Sequence, residues 1–148
     1  MMNTNSNAAG GFTFRFSSTL SSEIIFNHLL DIPFWWSGLF GETIVGESKA
    51  VGDVFDFKAG GGVHHTVHRL IDLVPNVTIA WKVEQSHLDF VEIKNEWDDT
   101  TIRFTLTPQD GGTEVLFEHI GLVPNFQCYH NCSLAWTGYM DQLRQKLG

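Results

Sequence analysis

Residues 119–147 read HIGLVPNFQCYHNCSLAWTGYMDQLRQKL, and this stretch decides the fold. After Pro124 its apolar and aromatic residues recur every three or four positions, which places them on one face of a single helix. These residues are Cys128, Cys132, Trp136, Tyr139, Leu143 and Leu147. A long terminal helix with such a bulky apolar face needs a broad apolar surface to lie on. The strands that precede it in the chain are predicted to be that surface.

The rest of the chain alternates in the manner of β-strands. Phe12, Phe14 and Phe16 alternate with polar residues, and two short helices follow, over 23–30 and from Pro33 onward. From Gly41 the pattern predicts about six antiparallel strands, with residues 85–97 left open as an extra strand or a loop. Of the adjacent Trp35 and Trp36, one is expected to lie partly exposed at a rim. The fold class is therefore α+β, with the helices on one face of a curved antiparallel sheet.

Composition limits the possible partners. The chain has 148 residues, 43% of them hydrophobic and 18% charged, with a formal net charge of −8 and only nine Lys plus Arg. This balance argues against nucleic acid or an anionic membrane surface as a partner. No apolar run approaches the ~20 residues of a membrane span. Residues 1–11 are expected to be a disordered tail before a single domain at 12–148, in a cytoplasmic protein with reduced thiols.

Six groups of residues carry a family resemblance, and together they extend over roughly residues 12–147. They are Asp31 to Trp36, Gly52 to Phe55, Pro75 to Trp81, Asn95 to Phe104, Gly111 to Glu114, and Phe117 to Leu122 leading to Trp136. With this element order, the chain resembles the START-like (helix-grip, Bet v 1-like) fold. Within that fold it is similar to homologues of the C-terminal domain of the Hsp90 ATPase activator. The resemblance implies a curved sheet wrapped around the terminal helix.

The resemblance leaves the function open, because such folds host lipid binders, cyclases, dehydratases, stress-response proteins and co-chaperone domains. Full-length Hsp90 activators have a further N-terminal domain that makes much of the chaperone contact, whereas eleven polar residues precede the first strand here. The family name is therefore not expected to carry chaperone activation over to this protein. A Hsp90-type chaperone remains a possible partner, through a surface near Trp35 and Trp36.

Strand parity predicts an inward-facing set of side chains. It comprises Phe14, Phe57, Trp81, Phe104, Phe117 and His119 on the sheet, facing Cys132, Trp136 and Tyr139 on the helix. This set predicts either a packed aromatic core or an apolar pocket with a few polar groups, the usual form of a small-molecule site. The family resemblance favours the pocket. The leading hypothesis is a small hydrophobic or aromatic ligand held between sheet and helix, with no cofactor.

His119 is the polar residue that separates these hypotheses. A buried neutral imidazole needs a hydrogen-bond partner, which could be backbone or a tyrosine in the core. Alternatively it could bind a ligand, or serve as the acid or base of a cofactor-free cyclase or dehydratase. The sequence analysis favours a His119 side chain that reaches the cavity near Cys132 or Trp136.

Other chemistry-bearing residues fit ordinary structural roles. Cys128 and Cys132 have no second pair at zinc-site spacing and are expected to be packed thiols rather than metal ligands. His64, His65 and His68 lie in a strand and are expected on a solvated face. Three carboxylates could act near a pocket mouth as acid or base, but none has a spacing that forces it close to another: Asp31, Asp53 and Glu96. The sequence contains no nucleophile elbow, phosphate loop or dinucleotide motif.

Overall fold

A computed structural model describes residues 10–148, which form seven strands and three α-helices. The strands are β1 (Gly11–Ser18), β2 (Thr43–Gly46), β3 (Val54–Ala59), β4 (His64–Val74), β5 (Thr78–Leu88), β6 (Thr101–Gln109) and β7 (Gly112–Ile120). The helices are α1 (Ser22–Leu29), α2 (Ile32–Trp35) and α3 (Tyr129–Leu147). Most of the predicted tail lies outside the described residues, but its last residue, Gly11, already belongs to β1.

The strands form one antiparallel sheet in the order β1-β7-β6-β5-β4-β3-β2. The chain turns from β3 to β4 through Gly60–Gly62, where the φ of Gly61 is 72°, an angle that glycine adopts without strain. Between β4 and β5 the register shifts twice, at Val67/His68 and at Leu70/Asp72. Such irregularities bend and twist a sheet, and they lie in its longest strand pair. The predicted α+β fold with a curved antiparallel sheet is confirmed.

Helix α3 lies against the sheet with the face that the sequence predicted. The six residues predicted to share that face are all buried, namely Cys128 at the N-terminal end of α3, then Cys132, Trp136, Tyr139, Leu143 and Leu147. Trp136 contacts the ring of Phe117 on β7, with ring centroids 4.6 Å apart. The C-terminal end of α3 is fixed to β1, where the Ser18 hydroxyl donates a hydrogen bond of 2.9 Å to the Leu147 carbonyl. The helix is thus held along its length.

Helix α1 begins at Ser22, one residue before the predicted start, where the Ser21 hydroxyl caps it by accepting a hydrogen bond from the Ile24 N–H. The expectation for Trp35 and Trp36 is wrong, since each side chain is only 2% exposed. The backbone leaves the helical region at Trp36, with φ −117° and ψ 58°, so that both indoles turn inward. They stack on each other with centroids 5.4 Å apart. Neither is available to a protein partner in this structure.

The open question at residues 85–97 has a mixed answer. Strand β5 continues to Leu88, and residues 89–99 form a series of turns rather than an extra strand. Trp97 in this segment is buried, whereas Phe90 is 42% exposed.

None of the helices among the described residues is long and apolar enough to cross a membrane.

Candidate functional site

The sheet and α3 enclose a cavity of about 290 Å³ at the β3–β4 end of the sheet. Its walls come from the segment after α2, from β3 and the turn into β4, from the 89–99 turns and from the first half of α3. Fourteen residues line it: Trp36, Phe40, Phe57, Ala59, Gly60, Val63, His64, Phe90, Trp97, Asn131, Cys132, Ala135, Trp136 and Tyr139. Seven of the fourteen are Phe, Trp or Tyr, and His64 adds a further ring, so the lining is strongly aromatic.

Four of the nine predicted site residues line this cavity: Phe57, Cys132, Trp136 and Tyr139. The other five do not: Phe14, Trp81, Phe104, Phe117 and His119. Trp35 fills the space above two of these, with its ring centroid 5.5 Å from Trp81 and 4.9 Å from Phe104. Phe14 is only partly buried and packs edge-on against Phe16 at 6.2 Å. The inward face of the sheet is therefore part core and part cavity wall.

His119 lies in the core, behind the cavity wall. Its Nδ1 accepts a 3.0 Å hydrogen bond from the indole N–H of Trp136, and its Nε2 lies 2.9 Å from the Thr100 hydroxyl oxygen. Because Thr100 donates its own proton to the Trp97 carbonyl, 2.6 Å away, the His119 Nε2 must carry the proton and donate. Both ring nitrogens are thus occupied. Sequence analysis expected His119 to reach the cavity, and that expectation is wrong.

Burial also fixes the charge state of His119. The residue is 0% exposed, and burial, with a smaller contribution from His64, lowers its pKa to about 3. At neutral pH the imidazole is uncharged, which its hydrogen bond from Trp136 requires, since a protonated Nδ1 could not accept. His119 therefore has no free nitrogen for acid–base catalysis.

The expectation of a solvated histidine face on β4 is wrong for His64 and His68. His68 is fully buried, and His64 is half-buried and lines the cavity. Burial, with His65 as a minor cause, lowers the pKa of His64 to about 3, and burial drives the pKa of His68 well below its ordinary value. His65 points away, 2.8 Å from an Asp56 carboxylate oxygen. The sequence did contain a pattern that indicates this arrangement. His64 and His68 alternate in phase with Leu70, so they lie on the same face of β4 as this buried residue.

Trp36 and Trp97 also line the cavity, although sequence analysis did not include them in the site. Trp36 stacks on Phe57 at 3.8 Å, and Trp97 stacks on Trp136 at 6.0 Å. Both tryptophans lie outside the strands and α3, in segments where no period predicts the direction of a side chain. The site therefore depends on two loops as well as on regular elements.

Tyr139 is held at the cavity by Glu42. Its hydroxyl donates a 2.6 Å hydrogen bond to the Glu42 carboxylate, which also accepts backbone N–H groups of Gly38, Leu39 and Phe40. Burial raises the pKa of Glu42, but these hydrogen bonds outweigh burial and leave the pKa below its ordinary value. Burial, with a further contribution from the same carboxylate, raises the pKa of the Tyr139 phenol. Glu42 thus fastens the 38–40 segment to α3.

The two cysteines are buried free thiols one turn apart. Cys132 lines the cavity, and its pKa is raised by a hydrogen bond with Cys128 and by burial, so it stays protonated at neutral pH. Within residues 10–148, no three His, Cys, Asp or Glu side chains come together as a metal site would require.

The three carboxylates proposed as acid–base candidates do not line the cavity. Asp31 lies between α1 and α2. Asp53 accepts backbone N–H groups of Lys49 and Ala50, which lower its pKa. Glu96 accepts the N–H groups of Gln127 and Cys128, so its charge lies at the N-terminus of α3, where a negative charge is favourable.

Solved structures of other proteins share this architecture. The dimeric Aha1 of Colwellia psychrerythraea is 25% identical over 91% of this chain and 93% of its own, with a TM-score of 0.69. A protein of Chromobacterium violaceum is 19% identical over 92% and 96%, with a TM-score of 0.69. An Hsp90 activator of Plasmodium falciparum is 16% identical over 94% and 96%, with a TM-score of 0.63. The last two likenesses concern the fold alone.

No curated protein matches the chain, but its sequence matches a known family. Residues 22–148, from the start of α1 to the last residue, match the family described as Activator of Hsp90 ATPase homolog 1-like protein. This range includes every residue that lines the cavity. The chain belongs to the family of Activator of Hsp90 ATPase homolog 1-like proteins.

Proposed function

We propose that the protein binds one small apolar or aromatic molecule in the cavity between the sheet and α3. The observation that carries this proposal is the cavity itself, about 290 Å³ in volume and lined by aromatic side chains. An apolar protein cavity of roughly 150 Å³ holds benzene. By that comparison, the cavity has room for a molecule of about two fused rings.

The walls suit a flat molecule. Trp36 and Phe57 form a stacked pair on one side, with an interplanar angle of 15°, and Trp97 and Trp136 form another with an angle of 13°. Aromatic rings bind other rings by stacking and edge-to-face contacts in addition to burying apolar area. Because both pairs are packed against the core, their geometry is largely set before a ligand arrives, which reduces the ordering entropy lost on binding.

Two exposed aromatic residues border the cavity. Phe40 is 50% exposed and Phe90 is 42% exposed, and each belongs to a segment outside the sheet. Exposed aromatic side chains beside an apolar cavity offer a ligand apolar contact as it leaves water. They lie on the segments 37–42 and 89–99, so these segments form the mouth.

The test is a ligand screen with a variant that fills the cavity. Ala135 lines the cavity, and Ala135→Phe should occupy it, whereas Leu134 is 59% exposed and does not line the cavity, so Leu134→Phe is the matched control. We expect two-ring aromatic probes to raise the Tm of the wild type and of Leu134→Phe, but not of Ala135→Phe, because only binding to the folded state stabilises it. Absence of any Tm shift and of any retained molecule in native mass spectrometry of the wild type would reject the proposal.

A second candidate function is contact with an Hsp90-type chaperone. The family match over residues 22–148 favours it, together with the likeness to the Plasmodium falciparum activator. The surface would not be the one first suggested, because Trp35 and Trp36 are buried. A pull-down with the Hsp90 of the host, combined with an ATPase assay, tests this candidate. No binding and no stimulation would reject it.

A further inference from the structure

We infer that the cavity selects uncharged aromatic molecules that carry a carbonyl group, because two N–H donors at its wall have no strong acceptor among residues 10–148. The donors are Nε1 of Trp97 and Nδ1 of His64. This inference rests on the proposed function, since it specifies which molecules the same cavity prefers. The property to measure is the difference in binding affinity between a ketone and a hydrocarbon of the same shape.

Trp97 supplies the first donor. Its side chain is 2% exposed, and among the described residues its Nε1 is buried without a hydrogen-bond partner. The nearby Cys132 thiol also lines the cavity, but its sulfur is a weak acceptor and does not satisfy the indole N–H. An indole N–H can only donate, and leaving a buried donor unpaired is unfavourable. An acceptor atom brought by a ligand would remove that penalty.

The tautomer of His64 follows from its neighbours on β4. The Thr66 hydroxyl oxygen lies 2.7 Å from Nε2 of His68 and 3.4 Å from Nε2 of His64. Nδ1 of His68 is buried without a partner among residues 10–148. Because a buried unpaired N–H is rarer than a buried unpaired acceptor, the proton of His68 belongs on Nε2, which donates to Thr66.

The Thr66 hydroxyl proton then points to Nε2 of His64, so the proton of this neutral imidazole lies on Nδ1. In residues 10–148, Nδ1 of His64 has no hydrogen-bond partner, and the residue lines the cavity. His64 and Trp97 are in edge-to-face contact, with ring centroids 4.6 Å apart. The two free donors therefore belong to neighbouring rings of the same wall.

Electrostatics excludes charged ligands. None of the fourteen described residues that line the cavity is Lys, Arg, Asp or Glu, so no opposite charge is available to a bound ion. A charged group buried without a partner is strongly disfavoured. The Glu42 carboxylate, which contacts the lining residue Tyr139, is engaged by the Tyr139 hydroxyl and by backbone N–H groups. A neutral acceptor remains, and a carbonyl oxygen has two lone pairs for two donors.

The test compares two probes that differ in one carbonyl group, 1-tetralone and tetralin, by calorimetry. Trp97→Phe keeps an aromatic ring and removes the N–H, and His64→Phe does the same for the second donor. We expect each variant to weaken 1-tetralone binding about threefold to tenfold more than tetralin binding, the usual worth of one hydrogen bond. Trp81→Phe is the control, because the Trp81 indole donates to Ser48 away from the cavity.

A second measurement does not depend on variant stability. In the wild-type protein, 1-tetralone but not tetralin should shift the Trp97 indole N–H resonance downfield. Equal weakening of both probes in both variants, or an unmoved Trp97 resonance with 1-tetralone bound, would overturn the carbonyl inference and leave ligand binding in place. If neither probe binds, and no other two-ring probe does, the proposed function and this inference are rejected together.

Discussion

The indole of Trp136 donates a hydrogen bond to His119 across the interface between α3 and β7, with 3.0 Å between the two nitrogens. Both side chains are buried, so water cannot replace either partner. One face of the Trp136 residue lines the cavity while its N–H is fastened to the core. This bond fixes the orientation of one of the three tryptophans in the wall.

The first prediction concerns His119→Leu. The substitution leaves the Trp136 N–H buried without an acceptor, and such a group costs about 1–3 kcal/mol of unfolding free energy. Urea denaturation at pH 7.5 measures this loss. Because His119 does not line the cavity, the affinity for a two-ring hydrocarbon should change much less than the stability. Unchanged stability with lost binding would show that His119 belongs to the site and not to the core.

The second prediction concerns pH. In the folded protein His64 and His119 have pKa values of about 3, and that of His68 also lies well below the ordinary 6.5. As pH falls through 6.5 the unfolded chain takes up these protons and the folded protein does not. The stabilisation that these neutral imidazoles provide is therefore fully present above pH 6.5. Below pH 6.5 the unfolding free energy falls, by up to about 1.4 kcal/mol per pH unit for each histidine.

Denaturation between pH 7.5 and 5 measures this slope in the range where carboxylates contribute little. The His119→Leu variant should lose stability less steeply with falling pH than the wild type, by the equivalent of one proton. A wild-type protein equally stable at pH 7.5 and pH 5 would contradict the burial of these three neutral imidazoles.

The third prediction is that Trp136→Ala is among the most damaging single changes. Trp136 is 2% exposed and contacts Phe117 at 4.6 Å and Trp36 at 5.0 Å. Truncation of a buried tryptophan costs on the order of 3–5 kcal/mol. Trp136→Phe, which keeps a ring but not the N–H, should cost less in a thermal melt. Normal melting of Trp136→Ala would mean that the buried face of α3 is assigned incorrectly.

The fourth prediction concerns the start of α3. Glu96 accepts the N–H groups of Gln127 and Cys128 at 2.6 and 3.1 Å, so Glu96→Ala should lower the unfolding free energy by about 1 kcal/mol, as loss of a helix cap does. Glu92→Ala, an exposed carboxylate four residues earlier, is the control and should change little. Equal losses in the two variants would argue that general charge, rather than capping, is responsible.

The fifth prediction concerns the hydrogen bond between Tyr139 and Glu42. Tyr139→Phe removes the O–H donor and should cost about 1 kcal/mol, because the partly solvated Glu42 carboxylate can recover part of its hydration. Hydrogen exchange of the Gly38, Leu39 and Phe40 amides should also become faster, since their common acceptor loses its anchor on α3. Tyr129→Phe is the control. Unchanged exchange rates would show that the segment 38–40 is held by other contacts.

The sequence by itself determined the fold class and the buried face of α3. Residues from Cys128 to Leu147 recur with a helical period, and the period alone states which of them share a face. In the strands, alternation likewise identified Phe57, Trp81, Phe104, Phe117 and His119 as inward-facing, and all five are buried. Such patterns reach the correct answer because they depend only on local backbone geometry, which repeats along each element.

The tertiary structure decided which inward residues touch the cavity. Phe57 and Phe117 are indistinguishable by parity, yet Phe57 lines the cavity and Phe117 is covered by Trp136. Trp36 and Trp97 complete the wall from segments without a period. Parity places His64 and His68 on the same face as Leu70, but only the tertiary packing shows that this face is covered, for example by Trp97 against His64. A cavity is the space that side chains from distant segments fail to fill, so it is a property of their joint packing and of no single element.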